Sequence, residues 1–398
     1  MLSSCAPPHR SPTVISKKLR PFGTTIFAEM TRLASEHGAI NLSQGFPDFD
    51  GPSDIIEAAL EAMRSGENQY ARSQGRPELV RAVAAHQERH YGLRYDPMEE
   101  VVVFSGATEA IASTILGLLD PGDDVIAFEP FYDSYPACVA MAGGTIRFCT
   151  LRFPDFSFDP DELASLFTPS TRLLILNTPH NPTGKVFRRE ELELIASLCR
   201  ERDVRVLSDE VYEHLVFDGA EHVPIATLPE MRERTLTISS TGKTFSFTGW
   251  KIGWVTGPRG LVAAAQAAHQ FVTFAVATPF QLAMAQALDR HGEEYFDSFT
   301  RDYAERRDFL GDALAEAGLS PALPEGTYFI IADFTQHFDG DDRAFARWLV
   351  EKHRIATVPC GAFYQADRAE GSRLVRFAFC KKMETLELAA ERLRAIAS

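Results

Sequence analysis

Two kinds of hydrophobic spacing alternate along most of the chain. Short continuous apolar runs at Val101 to Phe104, Asp123 to Phe128, Arg172 to Leu176, Val204 to Leu207 and Thr235 to Ile238 have the length of buried strands. Between them, helical spacing marks Thr24 to Glu36 (Ile26, Phe27, Met30, Leu33), Pro52 to Arg64, Pro77 to Tyr91, the stretch after Ser105 to near Leu119, and Glu190 to Arg202. Strands separated by helices predict an α/β fold whose mostly parallel sheet is flanked by helices, and sites in such sheets lie beyond the carboxyl ends of the strands. After Arg290 the pattern changes. A long helix through Ala317 is followed by a strand from Thr327 to Ala332, a helix from Asp342 to His353, strands at Ile355 to Val358 and Arg373 to Phe379, and a final helix. This reads as a smaller α+β domain. The expected division is a mobile arm over 1–20, broken by Pro7, Pro8 and Pro12, then 21–50 joined to the small domain, a large domain over 51–290, and the small domain over 291–398.

Composition narrows the function more than the fold. At 398 residues the chain exceeds the size at which one core stops growing, which suits two domains. A net charge of -15 argues against nucleic-acid and anionic-membrane partners and leaves a small molecule. The apolar region Leu261 to Leu288 is interrupted by Gln266, His269, Gln270, Pro279, Gln281 and Gln286, so it reads as buried helix and turn rather than a membrane span. No apolar core of signal-peptide length occurs near the N-terminus. The six cysteines lack C-x-x-C spacing, which suits a reducing, cytoplasmic setting and inert thiols. His86 and His90 stand four apart, but Gln87 occupies the position where a zinc helix needs glutamate; they are assigned to a solvated face, and no metal is expected.

The chemistry centres on Lys243, in Ser239-Ser240-Thr241-Gly242-Lys243-Thr244 at the end of a predicted strand. A lysine held there among hydroxyls and glycine loses solvent, and desolvation favours the neutral, nucleophilic amine. Pyridoxal phosphate is the cofactor that uses such a lysine, with a carboxylate on its ring nitrogen and donors on its phosphate. Other strand ends supply matching groups. Asp209 can pair with a ring nitrogen, Asn181 and Tyr212 can donate to a phenolate, and Tyr132 can cover a flat ring or belong to the core. Ser105-Gly106-Ala107-Thr108 turns from strand to helix and either offers its amides to an anion or is an ordinary capped helix start. Lys251 and Ser240 can balance phosphate charge. The turn-rich loop Ser43 to Pro52, with Phe46 and Phe49, suits the lip of a pocket or a simple link. Arg376 interrupts the apolar run Val375 to Phe379, so it needs either a bound carboxylate or an internal Asp or Glu.

With these residues in view, the chain resembles a class I/II aminotransferase of the pyridoxal-phosphate fold-type I superfamily. It is most like the branch that holds methionine aminotransferases and kynurenine/glutamine transaminases. The resemblance runs from about Pro21 to the end and rests on Asn41-Leu-Ser-Gln-Gly-Phe-Pro-Asp-Phe-Asp-Gly-Pro52, Asn68-Gln-Tyr70, Ser105-Gly-Ala-Thr-Glu-Ala110, Asn177-Thr-Pro-His-Asn-Pro182, Ser208-Asp-Glu-Val-Tyr212, Gly242-Lys-Thr-Phe245, Thr248-Gly-Trp-Lys251 and Val375-Arg-Phe377. It implies that Lys243 is the Schiff-base lysine, Asp209 the partner of the pyridine nitrogen, and Asn181 and Tyr212 the partners of the ring hydroxyl. Tyr132 would stack on the ring. Gly106, Ala107, Thr108, Ser240 and Lys251 would hold the phosphate, joined by Tyr70 from the other subunit of a homodimer. Gly45 and Arg376 would take the substrate carboxylate.

The implied reaction is a ping-pong transamination between an L-amino acid and a 2-oxo acid, with a carbon-sulfur β-lyase or a kynurenine-type transaminase as alternatives. Kynurenine-type members carry a histidine after the residue matching Phe274, where this chain has Ala275, a departure that leans towards the methionine branch. The segment Leu261 to Asp289 holds no Lys or Arg, and its Phe271, Phe274, Val276 and Phe280, with Phe22 and Phe46, are expected to line an apolar side-chain pocket.

Overall fold

The protein is described here from a computed structural model covering residues 14–396. Its strands are β1 (Ile40–Asn41), β2 (Val101–Ser105), β3 (Asp124–Glu129), β4 (Thr145–Thr150), β5 (Thr171–Asn177), β6 (Arg205–Asp209), β7 (Thr235–Ser240), β8 (Ile252–Thr256), β9 (Ser320–Ala322), β10 (Phe329–Asp333), β11 (Ile355–Ala356), β12 (Val358–Pro359) and β13 (Leu374–Ala378). The large sheet has seven strands in the order β2-β8-β7-β6-β5-β3-β4. From β7 through β4 every neighbour is parallel, while β8 runs antiparallel to both β7 and β2. Val101 to Phe104 and all of β3 are buried, because helices cover both faces; that is why these strands read as continuous apolar runs without alternation.

Two strands of this sheet have no counterpart in the sequence reading. The edge strand β4 begins with exposed and half-buried positions and carries Arg147, so it lacks an apolar run. In β8 the pattern is broken by Gly253, a weak strand former, yet a Cβ there would stand 2.8 Å from the backbone of Gly106 and Ala107. The glycine lets the start of the Gly106–Leu118 helix lie against the sheet.

The other elements form a four-stranded antiparallel sheet, β12-β13-β10-β9, and a short parallel pair, β1-β11. The expected single strand at Ile355 to Val358 is divided at Thr357: β11 pairs with β1 and β12 with β13. Thr357 Oγ1 donates to the Arg376 carbonyl at 2.5 Å, fixing the break. The segment around residues 26–42 thus packs with the C-terminal elements. Residues 1–13 of the expected arm, with Cys5, lie outside the described residues; within 14–20, Lys17–Leu19 forms a short turn and Lys18 Nζ donates to the Met141 carbonyl at 2.9 Å. The remaining cysteines are buried free thiols. Among the described residues no helix is long and apolar enough to cross a membrane.

One assignment is overturned. His86 is buried at 1% exposure and His90 is half-buried, so they do not form a solvated face. Position 86 continues the stripe of Leu79 and Val83, and its ring turns inward with Gln87. His86 Nε2 lies 2.8 Å from His214 Nε2, with the His90 ring 4.5 Å from that of His86 and Phe296 stacked on His214 at 3.8 Å. His86, His214 and Glu213 bring their ligand-type atoms within 4.8 Å of one another. The 2.8 Å nitrogen contact is a hydrogen bond; two imidazoles on one tetrahedral zinc, each at about 2.0–2.1 Å, would stand about 3.3 Å apart.

Candidate active site

A cavity of about 420 Å³ opens beyond the carboxyl ends of β2, β5, β6 and β7. It is lined by Gly45, Phe46, Gly106, Ala107, Thr108, Tyr132, Asn181, Asp209, Tyr212, Ser240, Lys243 and Lys251, with Gln44, Asn177 and Thr248 among the rest. Residues from 44 to 252 therefore meet in one hollow, as the rule for open parallel sheets requires.

One end of the hollow is built for an anion. The Gly106–Leu118 helix starts with Gly106 at φ +75°, a conformation costly for any residue with a Cβ. No side chain caps the helix at Ser105; instead the Ser105 amide donates to Glu109 Oε2 at 2.5 Å, and Glu109 Oε1 is held by His269 Nδ1 at 2.6 Å. The first amides of the helix are left to face the hollow. Lys251, itself in the left-handed region at φ +55°, brings Nζ to 3.4 Å from Thr108 Oγ1.

At the centre stands Lys243, in the single helical turn Thr241–Thr244 that follows β7. Burial pulls its amine down to about 8 from the usual lysine range. Nζ donates to the Tyr328 hydroxyl at 2.6 Å and to the Gly45 carbonyl at 3.2 Å, and Tyr328 Oη donates in turn to Gly45 O at 2.6 Å. Asp209, at the end of β6, is pushed up to about 6 by burial. It accepts from Tyr135 Oη at 2.7 Å and from the Val211 amide at 3.5 Å, and makes no ion pair among the described residues. The Asn177 side-chain Nδ2 donates to the Asp209 carbonyl at 2.8 Å, while Asn177 Oδ1 accepts from the Asn181 backbone amide at 2.7 Å, tying the two strand-end loops together. Tyr212 is buried edge-on to Tyr328, with ring centroids 5.1 Å apart, and burial raises its phenol strongly.

Arg376 lies behind the wall of the hollow rather than on it. At 2% exposure, it donates to Asn181 Oδ1 and to the Ser43 carbonyl, both at 3.0 Å, and its guanidinium lies 4.0 Å from the Phe329 ring centroid. No Asp or Glu pairs with it among the described residues, and its Nε has no partner. Of the two partners the sequence left open, the internal carboxylate is therefore absent. The lip loop is tied to the same C-terminal sheet. Lys381 Nζ donates to the carbonyls of Gln44 (3.3 Å) and Phe46 (2.7 Å), and Asp48 accepts from the Lys382 amide (2.6 Å) and Thr385 Oγ1 (2.7 Å).

Tyr70 and most of the expected apolar lining stay away from this hollow. Tyr70 is 86% exposed and meets the half-exposed Phe274 edge-on at 5.5 Å. The expected apolar lining from the 271–280 segment is also not found within this chain: Phe271 is 90% exposed, Val276 is in the core, and Phe280 stacks on Trp250 at 4.5 Å. Phe22 is likewise absent from the lining, whereas Phe46 is present. Conversely, sequence reasoning passed over Tyr328 and Tyr135. Tyr328 stands just before the apolar run of β10 and Tyr135 lies in the first turn of the Ser134–Ala142 helix, so neither interrupts an apolar run as Arg376 does.

The arrangement fits pyridoxal phosphate. A buried amine of lowered basicity, a buried carboxylate lacking a cation, uncapped helix amides beside a lysine, and a guanidinium with an orphaned Nε match an aldehyde, a pyridinium, a phosphate and a substrate carboxylate respectively.

Comparison with known proteins places this geometry in context. The family described as "Aminotransferase class I and II" matches residues 37–393. The chain is 46% identical over 390 residues to a probable N-succinyldiaminopimelate aminotransferase of Mycobacterium tuberculosis, covering 96% of this chain and 98% of that one. It is 41% identical over 384 residues to the methionine aminotransferase of Escherichia coli, covering 96% and 99%. A solved structure of the Mycobacterium tuberculosis N-succinyldiaminopimelate aminotransferase superposes with a TM-score of 0.93 at 46% identity, over 96% of this chain and 100% of that one.

Proposed function

The chain belongs to the class I and II aminotransferases, enzymes of fold type I that use pyridoxal 5'-phosphate, and from that premise we propose that it transfers the amino group of methionine or another apolar or aromatic L-amino acid to a 2-oxo acid in a ping-pong sequence. The observation that carries the reading is the buried Lys243 amine in one hollow with the buried, unpaired Asp209 carboxylate. The bound cofactor supplies an aldehyde that accepts the amino group and a ring that takes up electron density when the α-proton leaves.

The protein's own groups do the rest. Lys243, its amine partly neutral near pH 8, would hold the cofactor and move the α-proton of the substrate. Asp209 keeps the ring nitrogen charged, and Tyr135 holds the carboxylate in place. Asn181 and Tyr212 would bind the ring hydroxyl and Tyr132 would cover the ring face. Gly106, Ala107, Thr108, Ser240 and Lys251 hold the phosphate, while Arg376 and Gly45 orient the substrate carboxylate. The apolar donor preference rests on Phe46 and Tyr132, and on a lining whose only cations are Lys243 and Lys251, both committed to the cofactor. An unpaired side-chain carboxylate there would cost more than the roughly 1.5–3 kcal/mol that burying a methionine side chain contributes. The similarity to the mycobacterial enzyme favours a second donor class, N-acylated diamino diacids.

Tyr70 completes the phosphate site of a second copy in a homodimer, with Phe274 beside it at the shared rim; their joint exposure, away from this chain's own hollow, supports that reading. Light scattering should read two chains, and a fully active monomer would overturn the shared site. An amino-donor panel with the loaded enzyme tests the substrate. Methionine and phenylalanine should exceed aspartate in kcat/KM; aspartate equal to methionine would refute the apolar pocket, and N-succinyldiaminopimelate above both would select the second class.

A further inference from the structure

The amine of Lys243 has a second protein contact whose consequence goes beyond the assigned roles. Nζ sits 2.6 Å from Tyr328 Oη and 3.2 Å from Gly45 O, and the single proton of Tyr328 is spent on Gly45 O at 2.6 Å. Tyr328 can therefore only accept from the lysine. A neutral amine has two N–H bonds and one lone pair. With one N–H on Tyr328 Oη and the other on Gly45 O, the lone pair has a single direction left, away from both acceptors.

Backbone geometry shows how this contact is held. Thr327, a β-branched residue, stands at φ +66°, in the left-handed region that such residues avoid. The conformation is fixed by the Thr327 amide donating to Leu215 O at 3.0 Å and by Thr327 Oγ1 accepting the Phe329 amide at 3.3 Å. Thr327 directly precedes Tyr328, which continues the pairing of β10 with β13 by accepting the Phe379 amide at 3.0 Å and carries its hydroxyl to Lys243. A tyrosine needed only for packing among Tyr212, Tyr303 and Phe329 would not require its hydroxyl on the lysine.

We propose that Tyr328 is a positioning residue for the transamination, orienting the free Lys243 amine so that its lone pair faces the cavity for both cofactor capture and proton transfer. The inference rests on Lys243 being the reacting amine. The titratable groups facing that amine are Asp209 and Tyr212 from the end of β6 and the loop after it, Lys251 before β8, Arg376 on β13, Cys380 just beyond it, and Tyr328 itself. Among them Tyr328 is its hydrogen-bond partner, joined by the Gly45 backbone carbonyl. An acceptor on the amine favours the ammonium, so removing one lowers the pH at which the lysine becomes reactive.

The test uses cofactor-free protein. Acetic anhydride labelling of Lys243, followed by peptide mass spectrometry across pH, should give a midpoint near pH 8 in the parent. In Tyr328→Phe it should fall by about one pH unit, the size expected for one hydrogen bond to a charged group. Thr327→Gly, which keeps the phenol but frees its backbone, should move the midpoint the same way by less. In the loaded enzyme Tyr328→Phe should lower kcat about tenfold or more with KM for methionine little changed. An unchanged midpoint in a folded Tyr328→Phe protein, or equal kcat, overturns the inference. Borohydride fixing the cofactor on a lysine other than Lys243 would instead refute the proposed function, a separate outcome from the titration result.

Discussion

Residues 208–214 place two buried ionisable clusters back to back, and only one of them faces a cavity. Asp209 and Tyr212 turn towards Lys243. Glu210, Glu213 and His214 turn the other way, into a nest with His86, His90 and His222. There Glu210 takes the Ser208 hydroxyl at 2.6 Å and lies 3.0 Å from His222 Nε2. Burial perturbs both sides alike: Lys243 is drawn down to about 8, His86 to about 3, Asp209 is raised to about 6 and Glu213 to about 7. Shifted acidity therefore does not distinguish chemistry from architecture here. What differs is space. The histidine nest is closed by ring stacking, although His86 Nδ1, His90 Nε2, His222 Nδ1 and Glu213 Oε2 have no hydrogen-bond partner there, whereas the lysine side sets a carboxylate and a guanidinium that form no salt bridge among the described residues beside an open hollow.

Substitutions should separate the two sides. Lys243→Ala should remove turnover almost entirely, by about 10⁴-fold or more, and with it borohydride fixation of the cofactor on the peptide around residue 243. Retention of more than a few per cent of the rate would move the chemistry elsewhere. Asp209→Asn should keep cofactor but lower kcat by about 10²–10³-fold, in line with the roughly 3–5 kcal/mol lost when one member of a buried charge pair is removed. A rate near that of the parent would show that the ring nitrogen has another partner.

The opposite face should behave in the opposite sense. His86→Leu should leave kcat within about twofold while changing stability by about 1–3 kcal/mol. Its pH signature follows from linkage. His86 stays neutral in the fold down to about 3 but takes a proton near 6.5 when unfolded, so the native state loses stability as pH falls below 6.5. Glu213 works against this: protonated up to about 7 in the fold but only to the ordinary 4.5 when unfolded, it costs stability as pH rises from 4.5 to 7. Removing His86 should flatten the acid loss in melting temperature between pH 6.5 and 5. An unaltered slope would mean that other buried histidines, such as His180 and His214, dominate it.

The legible parts of the sequence were those in which one local signal decides the outcome. Apolar runs ending in small polar residues marked β2, β3, β5, β6 and β7, and their ends carry Gly106, Asn181, Asp209 and Lys243 into the hollow. The misreadings share a cause: the deciding contact is distant in the chain. Gly253 hides β8 because the start of a helix nearly 150 positions earlier presses on it. His86 was assigned to the surface once Gln87 ruled out a zinc helix, though it lies on the Leu79 and Val83 stripe and meets His214, far along the chain. Phe271 and Phe274 resembled a pocket wall in one dimension, yet they face outward from this copy. The partner of Arg376 was undecidable because a guanidinium in a strand calls for an acceptor without specifying whether protein or ligand provides it.

The bonds from Lys381 and Lys382 to the Gln44, Phe46 and Asp48 loop divide the enzyme mechanically into an anvil and a jaw. Lys243 and Asp209 are set on the anvil, the seven-stranded sheet. Arg376, Gly45 and Phe46 ride together on the jaw, since the loop's backbone is bonded to the strand that carries the arginine, with the Ala378 amide on Leu42 O at 2.8 Å. The groups proposed to grip a substrate's carboxylate and to wall its side chain are consequently braced against one strand, so a change that loosened the loop would disturb both at once.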